Sequence, residues 1–178
     1  NSEFIDVSQI GAYLHLDYSF GDGWKAIAAA RADNHEIYDF NFVPKFGLTK
    51  TVGSVTFRLT YGQGIAAPTI INMFGDLFGG LILGNAEGFT LTDDTTVEKQ
   101  KVEKLQTIEL GYRGQIVKNK LFLDANAYYN ISEDFLSPVT IVGVAKQRGD
   151  TPIDQVQSLF DVYGGLVATY INFGEVNT

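Results

Sequence analysis

The sequence has no cysteine. This excludes a disulfide scaffold, a thiolate metal site and a thiol nucleophile. It leaves the compartment open, because a large barrel needs no disulfides. Long hydrophobic runs are also missing. The nearest is "LFGGLILG" at residues 77–84, and a membrane-spanning helix needs about 20 apolar residues. Positive charge is scarce. The net charge is −8 and there is no basic face, so nucleic acid is not a partner. Only two histidines occur, His15 and His35. No H-x-x-H, H-x-H or G-x-S-x-G pattern is present. The "GQG" at 62–64 and the "GG" pairs at 79–80 and 164–165 lack the Lys and Ser or Thr of a phosphate loop. The chain is therefore read as non-enzymatic, with no catalytic residues, no metal site and no cofactor. The start, "NSEFIDVSQIGAYL", has no Met and no signal-peptide features. It reads as the beginning of an internal piece of a longer chain.

What is present suits strands and turns. Glycine occurs 19 times, Phe 13 times and Tyr 9 times, against four prolines. The 178 residues are enough for one domain. Seven segments alternate with the period of two that marks a two-faced strand. In 8–20, Ala12, Leu14, Leu16, Tyr18 and Phe20 oppose Tyr13, His15, Asp17 and Ser19. In 24–34, Trp24 and four alanines oppose Lys25, Arg31 and Asp33. In 41–50, Phe42, Pro44, Phe46 and Leu48 oppose Lys45, Gly47 and Thr49. In 54–64, Val55, Phe57, Leu59 and Tyr61 oppose Thr56, Arg58 and Thr60. In 104–114, Ile108, Leu110 and Tyr112 oppose Thr107, Glu109 and Arg113. In 120–131, Leu121, Leu123 and Tyr129 oppose Asp124, Asn126 and Tyr128. A seventh, near 166–176, has an ambiguous register that suits a bulge.

Alternation alone leaves two arrangements open. The apolar face packs on a second sheet, or it meets lipid. Three features favour lipid. Links after the odd-numbered strands are short, whereas those after the second, fourth and sixth are about 6, 40 and 30 residues long. Outer-membrane barrels segregate loop length by end in this way. Charges stand in mid-strand, at Arg31, Asp33, Arg58, Glu109 and Asp124, where a dry core would not tolerate them. Aromatics gather at strand ends: Phe20, Trp24 and Tyr112 near short turns, Tyr61 and Tyr129 near long loops, as in a lipid-facing girdle. His15, Asp17, Arg31, Asp33, Lys45, Arg58, Glu109, Arg113 and Asp124 are expected to face a lumen. Closed single-chain bacterial barrels have an even strand count from 8 upward. The odd number suggests a section of a larger wall. The fold class is thus all-β, a transmembrane antiparallel up-and-down barrel of which about seven strands are present.

Several passages resemble the TonB-dependent receptors of the outer membrane. "AAARADN" (28–34) is similar to that family's strand ending in Arg-x-Asp, and "FVPKFGLTK" (42–50) to its Pro-Arg-x-Gly-Leu segment, with Lys45 for Arg. "FRLTYGQGIAAPT" (57–69) resembles its Tyr-Gly-x-Gly passage, with Ile65 where an aromatic is common. "EKLQTIELGYRG" (103–114), "NAYYNISEDFLSP" (126–138) and "YINFGEV" (170–176) resemble successive strands, with Val102 in place of a proline. The resemblance implies a barrel of about 22 strands closed by a plug that is not visible here. It implies a Gram-negative outer membrane and uptake of a scarce large nutrient: a ferric siderophore, haem, cobalamin, glycan or peptide. The implied partners are the bilayer, the TonB complex acting through the plug, the nutrient and, for some members, a surface lipoprotein. The alternatives are a passive pore or adhesin barrel, and a soluble β-rich binding protein.

Residues 1–178 are read as one partial barrel domain with long external loops near 63–103 and 137–165. The first loop is the candidate for ligand or partner contact, through Met73, Phe74, Phe78, Asp93 and Asp94. Its apolar half either packs inward over neighbouring loops or forms a contact surface. The adjacent acids suit a hard cation or plain solvation. In the second loop "RGD" (148–150) reads as a turn. "PIDQVQSLF" reads as a short amphipathic helix with Ile153, Val156, Leu159 and Phe160 on one side.

Overall fold

The computed structural model describes residues 7–157 and 160–178. Leu159 of the expected helix lies outside them. Seven strands form one sheet: β1 (Gln9–Ser19), β2 (Trp24–His35), β3 (Asp39–Val52), β4 (Val55–Ala66), β7 (Glu103–Val117), β8 (Leu121–Leu136) and β12 (Asn172–Asn177), paired in that order. Strands β2, β3, β7 and β8 outrun the sequence-based bounds, whereas β1 falls one residue short at each end. The β2–β3 link shrinks from the expected six residues to three, 36–38, and His35 ends β2 rather than sitting in a loop.

Tight turns explain the chain reversals. Between β1 and β2, Gly21, Asp22 and Gly23 all have positive φ. Gly23 is obligatory: a Cβ there would stand 2.1 Å from the Thr51 carbonyl oxygen. Gly53, at φ 58°, turns β3 into β4.

Register fixes two faces. Leu16 pairs with Ala28, Ala28 with Phe46, and Phe46 with Tyr61. Tyr18, Ala26, Leu48 and Leu59 form the next row, then Trp24, Lys50 and Phe57. The small side chains of β2 thus alternate with large ones on both flanks. No second layer covers this face among the described residues. Phe57, Leu59, Ile108, Leu110 and Leu123 are between 41% and 58% exposed.

The chain divides into two compact units, one of residues 1–65, 104–132 and 176–178, the other of 66–103 and 133–175. The second holds the two long connections, and they are not plain loops. The first contains helix α1 (Ile70–Phe74), a 3-10 turn (Phe78–Gly80), β5 (Phe89–Leu91) and β6 (Thr96–Val97). The other contains β9 (Thr140–Arg148), β10 (Thr151–Pro152), α2 (Ile153–Val156), α3 (Phe160–Tyr163) and β11 (Leu166–Thr169). These strands make a sheet in the order β10-β9-β5-β6, with β11 also on β9. Leu83, Phe89 and Leu91 from the first connection share a core with Ala145, Ile153 and Val167 from the second. The expected seventh segment is therefore two strands. β11 pairs with β9 through a register shift at Val167/Ala168, and β12 joins the large sheet. The single expected helix is two short turns, because Gln157 is extended between them.

Candidate functional site

The polar face of the large sheet carries two charge clusters. On β1 and β2, the Lys25 Nζ lies 2.8 Å from Asp17, and the Arg31 Nε lies 2.6 Å from Asp33. Asp33 is 4% exposed, and Gly11 makes room for it: a Cβ at Gly11 would stand 2.3 Å from the carboxylate. His15 shares this face and takes the Tyr13 hydroxyl at 3.2 Å. On β4, β7 and β8, Arg58 bonds Glu109 and donates to the Asn126 side-chain oxygen at 3.2 Å. Arg113 faces Asp124 at 3.9 Å. Lys45 lies opposite Ala29 and Gly62, in the same polar rows. The nine expected residues share one face; six of them form three ion pairs with one another, while Asp17 pairs with Lys25 and His15 with Tyr13. Thr49, Thr56, Arg58, Gly111, Arg113, Asp124 and Asn126 line a recess of about 540 Å³ there. Because Arg58 and Glu109 are partly solvated, the pair is worth at most about 1 kcal/mol. Glu109→Gln is expected to leave the denaturation midpoint of the intact protein within that range. A larger loss would mean a structural role beyond the pair.

The aromatics of the apolar face are in contact. Phe20 stacks on Trp24 with ring centres 6.3 Å apart, and the Lys50 ammonium sits 4.9 Å above the Trp24 ring. Phe57 meets Tyr112 edge-on at 5.4 Å. Phe46 stacks on Tyr61, whose hydroxyl donates to Gln106 at 3.0 Å. Tyr129 is 49% exposed and precedes Asn130, which accepts the Thr107 hydroxyl at 2.8 Å.

In the second unit the five expected contact residues part company. Met73 is buried. Gly84 supports it, since a Cβ there would lie 2.5 Å from the Met73 carbonyl. Phe74 is half-buried, whereas Phe78 is 72% exposed. Asp94 pairs with Lys146. Asp93 accepts the Thr95 backbone N–H at 3.0 Å. That bond and the Thr95 hydroxyl hold its carboxyl below the ordinary 3.8. The β5–β6 turn is therefore expected to keep this contribution above pH 3.8 and to lose it as pH falls through the lowered value. Protection of the Thr95 amide in an acid titration reads this out, and protection that stays unchanged through protonation of the carboxyl would count against it. "RGD" is a hairpin turn: Gly149 and Asp150 join β9 to β10. Arg148 is held by Asp76 at 3.2 Å and by the Gly84 carbonyl at 2.9 Å.

Sequence reasoning missed the residue that ties the unit together. Asn85 is fully buried. Its amide donates to the Glu98 carbonyl at 2.9 Å and the Tyr170 carbonyl at 2.7 Å, and its oxygen accepts the Gly88 N–H at 3.1 Å. Asn172 plays a similar part at the rim. It accepts the Lys101 N–H at 2.7 Å and donates to the Lys101 and Asp134 carbonyls. This accounts for the Asn of the Tyr-x-Asn-x-Gly passage. A cavity of about 450 Å³ adjoins it, lined among others by Leu91, Val97, Lys101, Ile141 and Asn172. Among the described residues no three His, Asp or Glu gather to hold a metal.

Residues 1–178 match the family model described as TonB dependent receptor-like, beta-barrel. No curated protein matches the chain. Among solved structures, the siderophore receptor PirA from Pseudomonas aeruginosa is 12% identical with a TM-score of 0.64, over 96% of this chain and 29% of that one. PirA from Acinetobacter baumannii is 16% identical at a TM-score of 0.64, over 96% and 24%. A mutant of the ferric enterobactin receptor PfeA from Pseudomonas aeruginosa is 16% identical at 0.63, over 96% and 23%. The likeness is one of fold, and the chain spans between 23% and 29% of the length of these structures.

Proposed function

This chain belongs to the TonB-dependent receptor β-barrel family, and from that premise we propose that it supplies wall strands and a ligand-capturing loop unit to an outer-membrane receptor that imports ferric siderophores. The reading rests above all on the bare apolar face of the seven-stranded sheet. Side chains such as Leu59, paired with Leu48, and Leu110 are half exposed and suit hydrocarbon and not water. The opposite face, with its ion pairs, suits a hydrated lumen. The family and the solved neighbours are receptors, not enzymes. Cargo recognition is assigned to the loop unit, and energy to the TonB complex.

The register also sets the height of the girdles. Trp24, Lys50 and Phe57 form one row, extended by Tyr112. At about 3.3 Å per residue and a tilt near 40°, an apolar band of about 25 Å spans roughly ten residues. Ten residues up β3 from Lys50 is Phe40, 65% exposed. We assign the second girdle to Phe40 and Phe42. The Tyr61 row lies only about 10 Å above the first by the same arithmetic. Tyr61 therefore sits inside the apolar band, where Gln106 satisfies its hydroxyl.

The test is uptake of radioiron by cells that carry the intact receptor as their one iron importer. Ferric siderophore uptake that stops when the TonB complex is deleted is the expected result. Uptake that continues without that complex would favour a passive pore, and none with any ferric siderophore would overturn the reading.

A further inference from the structure

We infer that Phe78 is the specificity-determining contact of the loop unit, an aromatic side chain presented to a ligand that carries an aromatic ring. The inference rests on the receptor reading above and narrows it. Phe78 has φ 53°, and it opens a run of three left-handed residues with Gly79 and Gly80. A glycine or asparagine fits such a position; a bulky side chain there is strained. Its ring is also 72% exposed, so no packing offsets the strain. Folding alone would favour a different residue.

The surrounding structure holds the strained turn in place from every side. Leu77 and Ile82 exchange backbone hydrogen bonds at 2.8 and 3.2 Å across its base. The Tyr163 hydroxyl donates to the Phe78 carbonyl at 2.8 Å. The buried Gln157 amide donates to the Gly80 carbonyl at 2.9 Å. Gly80 has no room for a side chain, since a Cβ would lie 2.8 Å from Gln157 Cγ. Two side chains of the second connection thus fix a turn of the first, and the ring stands out from it. Local strain that neighbours over-determine is a mark of a binding position. The braced backbone fixes the point from which the ring projects, and its open π face offers a planar aromatic partner a stacked or edge-on contact that an aliphatic one does not make.

The experiment compares two probes on the purified intact receptor: a ferric tris-catecholate, which displays aromatic rings, and a ferric trihydroxamate without rings. The wild type is expected to bind the catecholate more tightly. Phe78→Gly and Phe78→Asn both relieve the strain and remove the ring. Each is expected to weaken catecholate binding on the order of 10- to 100-fold while thermal stability stays level or rises. Phe78→Tyr is expected to restore binding. Unchanged binding in the glycine and asparagine variants overturns the inference, as does a loss of stability in step with the loss of binding. A wild type that prefers the trihydroxamate also overturns it, yet leaves siderophore import standing. Binding of neither probe overturns it as well, and the uptake assay then decides whether import itself fails.

Discussion

Asn85→Leu is expected to destabilise the loop unit by about 2–4 kcal/mol. The substitution keeps the approximate volume and removes all three hydrogen bonds of a fully buried amide. The Glu98 and Tyr170 carbonyls and the Gly88 N–H lose their partner together. Two of these groups belong to the first connection and one to the second, so the loss reaches both. Hydrogen exchange on the intact receptor measures it. Amides of β5, β9 and β11 should lose protection in parallel, while those of β2 and β3 keep theirs. Asn85→Asp keeps an acceptor for Gly88 but turns its other carboxylate oxygen onto the Glu98 and Tyr170 carbonyls in a fully buried site, and should cost at least as much. Wild-type protection in Asn85→Leu would mean that the apolar core alone holds the two connections together.

Phe46→Arg is expected to cost about 2–4 kcal/mol of folding into lipid vesicles, whereas Phe40→Arg should cost about 0–1. Phe46 lies between the two assigned girdles, on a face with no protein cover among the described residues. A guanidinium there must enter hydrocarbon or drag water with it. At Phe40 it reaches the headgroups. Equal costs at the two positions would refute the girdle heights. A neutral Phe46→Arg would refute contact with lipid altogether.

The wall was legible in the sequence because its strands are long and two-faced. Ten or more residues of strict alternation settle which face each side chain takes, while the pairing of Leu48 with Leu59 is set by the tight turn at Gly53. The loop unit was illegible for the opposite reason. β5 is three residues long and β6 two, too short for a period to emerge. Asn85 sits in "LGNAEGF", where asparagine between glycines reads as a turn residue. Only the chain's return at Tyr170 makes it a buried linker. Phe40 was missed because the third segment reads from Asn41, although the alternation with Phe42 runs one step further and the strand starts at Asp39. The strain at Phe78 has no sequence signature beyond the two glycines that follow.

The shared core of Leu83, Phe89, Ala145 and Val167 has an evolutionary consequence. A flexible loop risks its shape with each replacement. Here the fold rests on buried residues, and exposed positions such as Ile71 and Val162 can be exchanged one at a time without disturbing them. On the proposed reading, what the unit captures changes residue by residue while the way it folds does not.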